Sequence, residues 1–593
     1  MKKIWCEYKE NVTILHKNLK RFIKYQVATK LLLAIILLPI FKVIFNSLMK
    51  SKGLTYLANG LVKKFLVSPQ GVILVIVGFI FGLSIILIEI GGLIVISHQA
   101  VLQKEESSFF QVVKYSIGKM KSLLGVDGIF IILYLLIMTP IISGDHKTSI
   151  LQDLKIPGFI MDVIEVNTAY TLYLMGVTIL FVILAIRWMF CIHVIMLSDK
   201  KEKHALHKSS QIVKKNLKFI IKQSIGMNLI YLLVAGGIMI AYAILALIIL
   251  VLLNEQLLEV AALILVSIGI LLFGVFSFLF GPFEVIRVTK LYHKLQKNSL
   301  EDLTIAYNSK NNFINKLIGN KVFIGSIFII GVITMSLYTH IVISEAENIK
   351  YKVDITAHRG SSKDAPENTL SAIDAAIKNG ATFAEIDVQQ TKDGKLVILH
   401  DKSFMRTTGV ERNVWELTLE EIRQLDTGIL FDEKFTGEKI PTLEEVIKYS
   451  KGRIKLNIEI KTNGHETNLV SEVVRVIKDM DLMSSCVVSS LDYPVLEEVE
   501  RLEPRIKTGY ILFVALGDLE KLTVDFYSVE ETNVTEKFIE KAHAINREVH
   551  VWTINTEESM VNVLELGVDN IITDNVKMLS ELIKGKRKGY IGY

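Results

Sequence analysis

Residues 357–401 read AHRGSSKDAPENTLSAIDAAIKNGATFAEIDVQQTKDGKLVILHD. In FAEIDV (383–388), a short β-rich run, Glu385 and Asp387 stand two residues apart, so both side chains point to one face of a strand. NTLSAIDAAIKNG, just before it, repeats apolar residues at helical spacing and closes on Asn-Gly, as helices often do. LVILH (396–400) is again β-rich, but the TKDG turn ahead of it is too short to cross over between parallel strands. LVILH therefore reads as a hairpin return.

The alternation continues on both sides. DITAH (354–358) precedes, and IKLNIEI (454–460), CVVSS (486–490), TGYIL (508–512), DFYSV (525–529), VHVWTI (549–554) and NIITD (570–574) follow. Helix-period stretches such as TLEEVIKYSKG and TNLVSEVVRVIKDM separate most of them. With the hairpin set aside, eight strands over about 240 residues fit one (β/α)8, or TIM, barrel.

Catalysis in such a barrel gathers at the C-terminal ends of the strands, where the βα loops converge. His358 and Arg359 end the first strand, His400 and Asp401 end the hairpin, and Glu459 and Lys461 share one face at the end of IKLNIEI. Together with Glu385 and Asp387 these are carboxylates, imidazoles and cations at strand ends, and packing does not explain them, because buried charge is costly unless paired or metal-bound. An all-oxygen carboxylate set suits a hard cation better than a structural zinc. A purely structural ion-pair cluster with Arg359 and Lys461 is the rival reading.

These motifs, HRG, PENT, ExD, TKDG, HD and ExK in that order, with VWTIN (551–555) and GVDNIITD (567–574) beyond, closely resemble the signature of glycerophosphodiester phosphodiesterases. The resemblance covers nearly all of residues 353–580. It implies a TIM barrel that hydrolyses glycerophosphodiesters to sn-glycerol 3-phosphate and an alcohol with a divalent metal, Ca²⁺ or Mg²⁺. Carried over by position, Glu385, Asp387 and Glu459 are the expected metal ligands and His358 and His400 the expected acid/base pair. Arg359 and Lys461 are placed to hold phosphate oxygens, and Trp552 to wall the glycerol pocket. Asn368 reads as the N-cap of the helix after PENT, with Glu367 ordering the loop. The run DFYSVEETNVTEKF lacks the pattern the resemblance leads one to expect there, which leaves the alcohol side of the pocket undefined.

The rest of the chain has another character. The 593 residues are 51% apolar, too apolar for an ordinary soluble enzyme. Seven mostly apolar segments long enough to span a bilayer lie at about 31–48, 71–98, 126–144, 169–197, 225–253, 258–283 and 322–343. Residues 1–345 thus read as a multi-span α-helical membrane domain and 350–593 as the barrel domain, an architecture resembling that of some bacterial members of the family. Residues 1–349 carry 35 Lys+Arg against 19 Asp+Glu, and residues 350–593 carry 32 against 42. The basic excess sits between apolar runs, so it points to membrane topology and not to nucleic acid. Alternate connections, starting with the N-terminus, hold 27 Lys+Arg against 6 in the others. By the positive-inside rule the richer set is cytoplasmic, and seven spans then deliver the barrel to the outside of the cell.

Glu89 and Arg187 interrupt apolar spans at similar depth and are expected to pair. The expected partners are thus a glycerophosphodiester and the lipid bilayer, the oligomeric state being undefined. With an external barrel the substrate is expected to be a polyglycerolphosphate polymer such as lipoteichoic acid, or a phospholipid head group. Two alternatives stand beside this. A phospholipase or sphingomyelinase D type of lipid hydrolase would share the barrel, metal and histidines. Alternatively, the membrane half transports lipid or polymer and the barrel is a binding module.

Overall fold

The computed structural model describes residues 2–132, 164, 167–198, 204–253, 255–296, 331–337, 353–513, 515–517 and 519–589. They fall into two compact units. In the first, five helices among the described residues are long and apolar enough to cross a membrane: Leu19–Ser51, Pro69–Val101, Thr168–Met196, Ala205–Leu252 and Val260–Leu295, with mean hydropathy from 2.4 to 3.0. They turn large apolar side chains such as Leu232, Ile240 and Leu252 outward, an arrangement that lipid tolerates and water does not. Five of the seven expected spans correspond to these helices. Those at 126–144 and 322–343 lie outside the described residues, apart from helical pieces at 126–132 and 331–337.

Inside this unit Phe22, Leu87, Ile94, Phe190, Val194 and Phe283 are fully or almost fully buried. The Tyr25 hydroxyl donates to the Ile88 carbonyl, and this close approach requires Gly92, where a Cβ would stand 1.7 Å from the Tyr25 oxygen. Glu89 and Arg187 do not pair as expected. Lys30 approaches Glu89 at 3.7 Å, and Arg187 Nε donates to Ser210 Oγ at 3.1 Å, so neighbouring helices supply each with a partner of its own.

The second unit contains the barrel. In chain order the strands are β1 (Tyr56–Ala58), β2 (Asp354–Ala357), β3 (Phe383–Gln390), β4 (Leu396–Ile398), β5 (Lys455–Ile460), β6 (Cys486–Ser490), β7 (Lys507–Leu512), β8 (Ala515–Gly517), β9 (Phe526–Glu530), β10 (Glu548–Trp552) and β11 (Asn570–Thr573). Parallel pairing runs β2, β3, β5, β6, β7, β9, β10, β11 and closes with β11 against β2, giving an eight-strand barrel. β4 lies antiparallel to β3, the hairpin return expected from the TKDG turn. Ile386, Val388, Ile458 and Ile460 are buried with helix residues such as Leu443, Val473 and Ile477. Strand alternation therefore turns Glu385, Asp387 and Glu459 into the barrel.

Threonines start the outer helices. Thr369, Thr442, Thr535 and Thr556 each accept the backbone N–H three residues on, a cap worth about 1 kcal/mol. Gly380, in the left-handed region at φ 84°, ends the helix Leu370–Asn379.

Residues Met49–Ser68 belong to the barrel unit, a placement that their position between two apolar helices does not suggest. β1 pairs antiparallel with β8, Tyr56 opposite Gly517 and Ala58 opposite Ala515. Ala58 is fully buried in the barrel's own core.

Candidate active site

β2 ends at Ala357, and the backbone then turns through Arg359 (φ 52°) and Gly360 (φ 78°). A Cβ on Gly360 would meet that of Ala372 at 2.5 Å, so only glycine lets this turn pack on the following helix. The turn aims His358 and Arg359 across the C-terminal mouth of the barrel. Arg359 N donates to Glu385 Oε2 at 2.6 Å, and its guanidinium lies 3.9 Å from Asp387 and 3.2 Å from Glu367.

Asp387 on β3 is paired in register with Glu459 on β5. Glu385, Asp387 and Glu459 are 4%, 0% and 7% exposed, and each offers an oxygen within 4.8 Å of the others'. Lys461 Nζ bridges Glu459 at 2.6 Å and Asp387 at 3.1 Å. Asn368 clamps Asp387 from the other side, donating to Oδ2 at 2.8 Å and accepting from the Asp387 N–H at 3.2 Å. It is not the helix cap expected from sequence. Thr369 takes that role, because Asn368 adopts the left-handed φ of 60° and turns its amide into the barrel.

The carboxylates are electrostatically unequal. Burial, reinforced by the Asp387 charge, pushes the Glu385 carboxyl up to about 8. Burial works against Asp387 too, yet Lys461, His400 and Arg359, with the Asn368 hydrogen bond, overcome it and hold Asp387 well below the usual carboxylate range.

Both histidines engage a carboxylate through Nδ1. His358 meets Asp574 Oδ1 at 2.7 Å, and Asp574 is held in turn by Ser362 Oγ at 2.5 Å and Asn555 Nδ2 at 2.7 Å. Burial disfavours the His358 imidazolium, but Asp574 outweighs it and raises the pKa. His400 meets Asp401 at 2.8 Å, and Arg406 joins Asp401 to Glu367 with contacts of 2.6 to 2.7 Å. Gln389 Nε2 donates to the carbonyls of Leu399 and Asp401 at 2.8 and 2.7 Å, which pins the hairpin return that carries His400. Each ring thus presents Nε2 for chemistry.

Seven of the eight residues singled out from sequence converge on β2, β3, β5 and the hairpin. Trp552 stands at the end of β10, separated from β2 by β11, with its indole N–H on the Ser528 carbonyl at 3.0 Å. Sequence reading passed over Asp574, Arg406 and Gln389. Asp574 follows NIIT directly, so the strand-end rule that found His358 would have found it too.

The model of the glycerophosphoryl diester phosphodiesterase family matches residues 358–578, and that of the membrane domain of glycerophosphoryl diester phosphodiesterase matches residues 8–354. The chain belongs to this family. Its barrel is 36% identical over 241 residues to a glycerophosphodiester phosphodiesterase of Caldanaerobacter subterraneus subsp. tengcongensis, covering 39% of this chain and 98% of the relative. It is 31% identical to one of Bacillus altitudinis, covering 37% and 94%. A phosphodiesterase of Oleispira antarctica, solved in complex with the product sn-glycerol-3-phosphate, is 30% identical over 40% of this chain and 98% of its own, with a TM-score of 0.38. The protein is a multi-pass membrane enzyme with glycerophosphodiester phosphodiesterase activity. Members of the family generally use a divalent metal, and the buried acidic cluster of β3 and β5 is present for one.

Proposed function

We propose that Glu385, Asp387 and Glu459 hold the divalent cation, Ca²⁺ or Mg²⁺, and that His358 and His400 are the acid/base pair. On this reading the enzyme releases sn-glycerol 3-phosphate from a membrane-associated glycerophosphodiester on the outer face of the cell. The observation that carries the reading is the placement of two carboxylate-braced imidazoles beside one buried carboxylate trio at the barrel mouth. The trio fits a hard cation. Its donors are all oxygen and lie within 4.8 Å of one another, and burial, reinforced by the Asp387 charge, disfavours the ionised Glu385 carboxyl in the absence of a cation. When bound, the cation would share the negative charge developing on the phosphoryl oxygens.

Arg359 and Lys461 orient the phosphodiester by charge-assisted hydrogen bonds to its non-bridging oxygens. One histidine takes the proton of the attacking hydroxyl, be it the substrate's glycerol 2-hydroxyl or water. As the new phosphorus–oxygen bond forms, the bond to the alcohol breaks, and the other histidine delivers a proton to the departing alkoxide. Asp574 and Asp401 hold the rings in orientation and stabilise the imidazolium as it forms. Residues 350–593 supply this chemistry and residues 1–345 the membrane domain, with Trp552 on the glycerol side.

Two observations support the outer-face reading. The charge asymmetry puts the connection after the first span on the side poor in Lys and Arg. That same connection contributes β1, which pairs with β8 of the barrel unit, so the two share a side of the membrane. Polyglycerolphosphate polymer such as lipoteichoic acid, or phospholipid head groups, are the substrates met there. Incubation of the full-length enzyme with glycerophosphocholine, polyglycerolphosphate polymer and phospholipid vesicles tests this. Release of sn-glycerol 3-phosphate supports the reading, and release of a lipid phosphate in its place would replace it with a D-type lipid hydrolase.

A further inference from the structure

The segment Met49–Ser68 joins two membrane-spanning helices, yet it is built into the catalytic unit. Leu57, Ala58 and Phe65 are 2%, 0% and 1% exposed. Its Tyr56 ring meets Tyr493 edge-on at 6.2 Å, and Tyr493 packs on Tyr510 of β7. Gly517 of β8 sits at φ 96°, where a Cβ would come within 2.8 Å of the Thr55 carbonyl oxygen, so the two segments approach as closely as backbone allows.

Asn59 is the residue that reaches the mouth. At 7% exposure and φ 46°, it donates to the Ile511 carbonyl at 2.7 Å and the Leu491 carbonyl at 3.4 Å, and it accepts from the Phe513 N–H at 3.2 Å. Leu491 and Phe513 directly follow the last residues of β6 and β7, so one amide fixes two adjacent loops on the C-terminal face, next to β5 with Glu459 and Lys461. The two residues whose backbone it holds carry apolar side chains and are 40% and 39% exposed. Seven residues lie between Asn59 and Ser51, the last residue of the apolar helix Leu19–Ser51, so the amide that holds this rim belongs to the connection that leaves that helix.

We infer that Asn59 is a positioning residue for substrate selection: through it the first connection of the membrane domain sets Leu491 and Phe513 as the rim that receives the apolar leaving group of a membrane-resident glycerophosphodiester. This deepens the reading of the barrel as a glycerophosphodiester hydrolase and rests on it. A connection between two apolar helices then shapes the active-site mouth from within the barrel unit.

The test compares full-length wild type with Asn59→Gly, which removes the amide while keeping a residue suited to positive φ. Two substrates are used, glycerophosphocholine and the dodecyl ester of glycerol 3-phosphate in phosphatidylcholine vesicles. The expected result is a roughly tenfold rise in KM for the dodecyl ester, with kcat and the glycerophosphocholine parameters within twofold of wild type. Unchanged kinetics on both substrates, or an equal fall of kcat on both, would overturn the inference. Loss of glycerophosphocholine turnover in wild type would instead remove the reading beneath it. Should Asn59→Gly fail to fold, Leu57→Cys with Leu516→Cys, opposite each other in register, is made in a background lacking Cys6, Cys191 and Cys486. A disulfide on oxidation with KM for the dodecyl ester kept within twofold of wild type supports the inference, and absence of the cross-link or a raised KM for that ester ends it.

Discussion

Asp387 and Glu459 lie side by side on adjacent parallel strands, with the Lys461 ammonium 3.1 Å from one and 2.6 Å from the other. One cation serves two carboxylates. Glu385, two residues before Asp387, accepts the Arg359 backbone N–H, and burial together with the Asp387 charge disfavours its ionised form. The trio is therefore arranged at a cost to the fold that a bound cation would relieve.

Chelation is expected to abolish turnover, as is alanine at Glu385, Asp387 or Glu459. Activity assays with and without added Ca²⁺ or Mg²⁺, alongside thermal melts, check this. The metal-free melting temperature of Glu385→Gln should equal or exceed that of the metal-free wild type. Full activity of the metal-stripped enzyme would end the assignment.

The raised Glu385 pKa sets a pH dependence. Below about 8 the metal-free site holds a proton that a cation must expel, so apparent metal affinity should weaken by up to about tenfold per pH unit as pH falls below that value. The sign for stability is opposite. The native metal-free state binds more protons than the unfolded chain between the ordinary glutamate value and about 8, so its stability falls as pH rises through that window. Calorimetry of metal binding in buffers of different ionisation enthalpy should show proton release at pH 7 that vanishes above pH 9.

His358→Ala and His400→Ala should each lower kcat by about 10²- to 10⁴-fold. The double variant should lose much less than the product of the two, because both act in one step. Asp574→Asn, which keeps the shape but not the charge beside His358, should reduce kcat more than it changes KM. It should also shift the limb of the pH–rate profile that reports His358 downward, since Asp574 is what raises that pKa.

Gly360→Ala has no room. With a Cβ 2.5 Å from that of Ala372 and φ at 78°, the substitution should destabilise the fold by a few kcal/mol and displace His358 and Arg359. A lowered melting temperature together with lost turnover is the expected pair of results.

Orientation can be read with a membrane-impermeant maleimide. Lys584→Cys, exposed on the C-terminal helix, in a background lacking Cys6 and Cys191, should label in intact cells. Labelling only after lysis would move the barrel to the cytoplasm and take the polymer and outer-leaflet substrates with it.

By itself the sequence determined the barrel, the hairpin character of Leu396–Ile398, the apolar helices and the polar residues at the strand ends. Each of these is written in local periodicity or in the length of a turn, which act within about a dozen residues. Tertiary structure decided the partners. Asn368 clamps Asp387 and leaves the helix cap to Thr369, Asp574 braces His358 from across the barrel seam, and Glu89 takes Lys30 in preference to Arg187. Asn59 stitches loops more than 400 positions along the chain. Local pattern states which face a side chain takes but not what the fold brings opposite it, and a buried polar group is satisfied by whatever neighbour closure of the barrel or packing of the helices supplies.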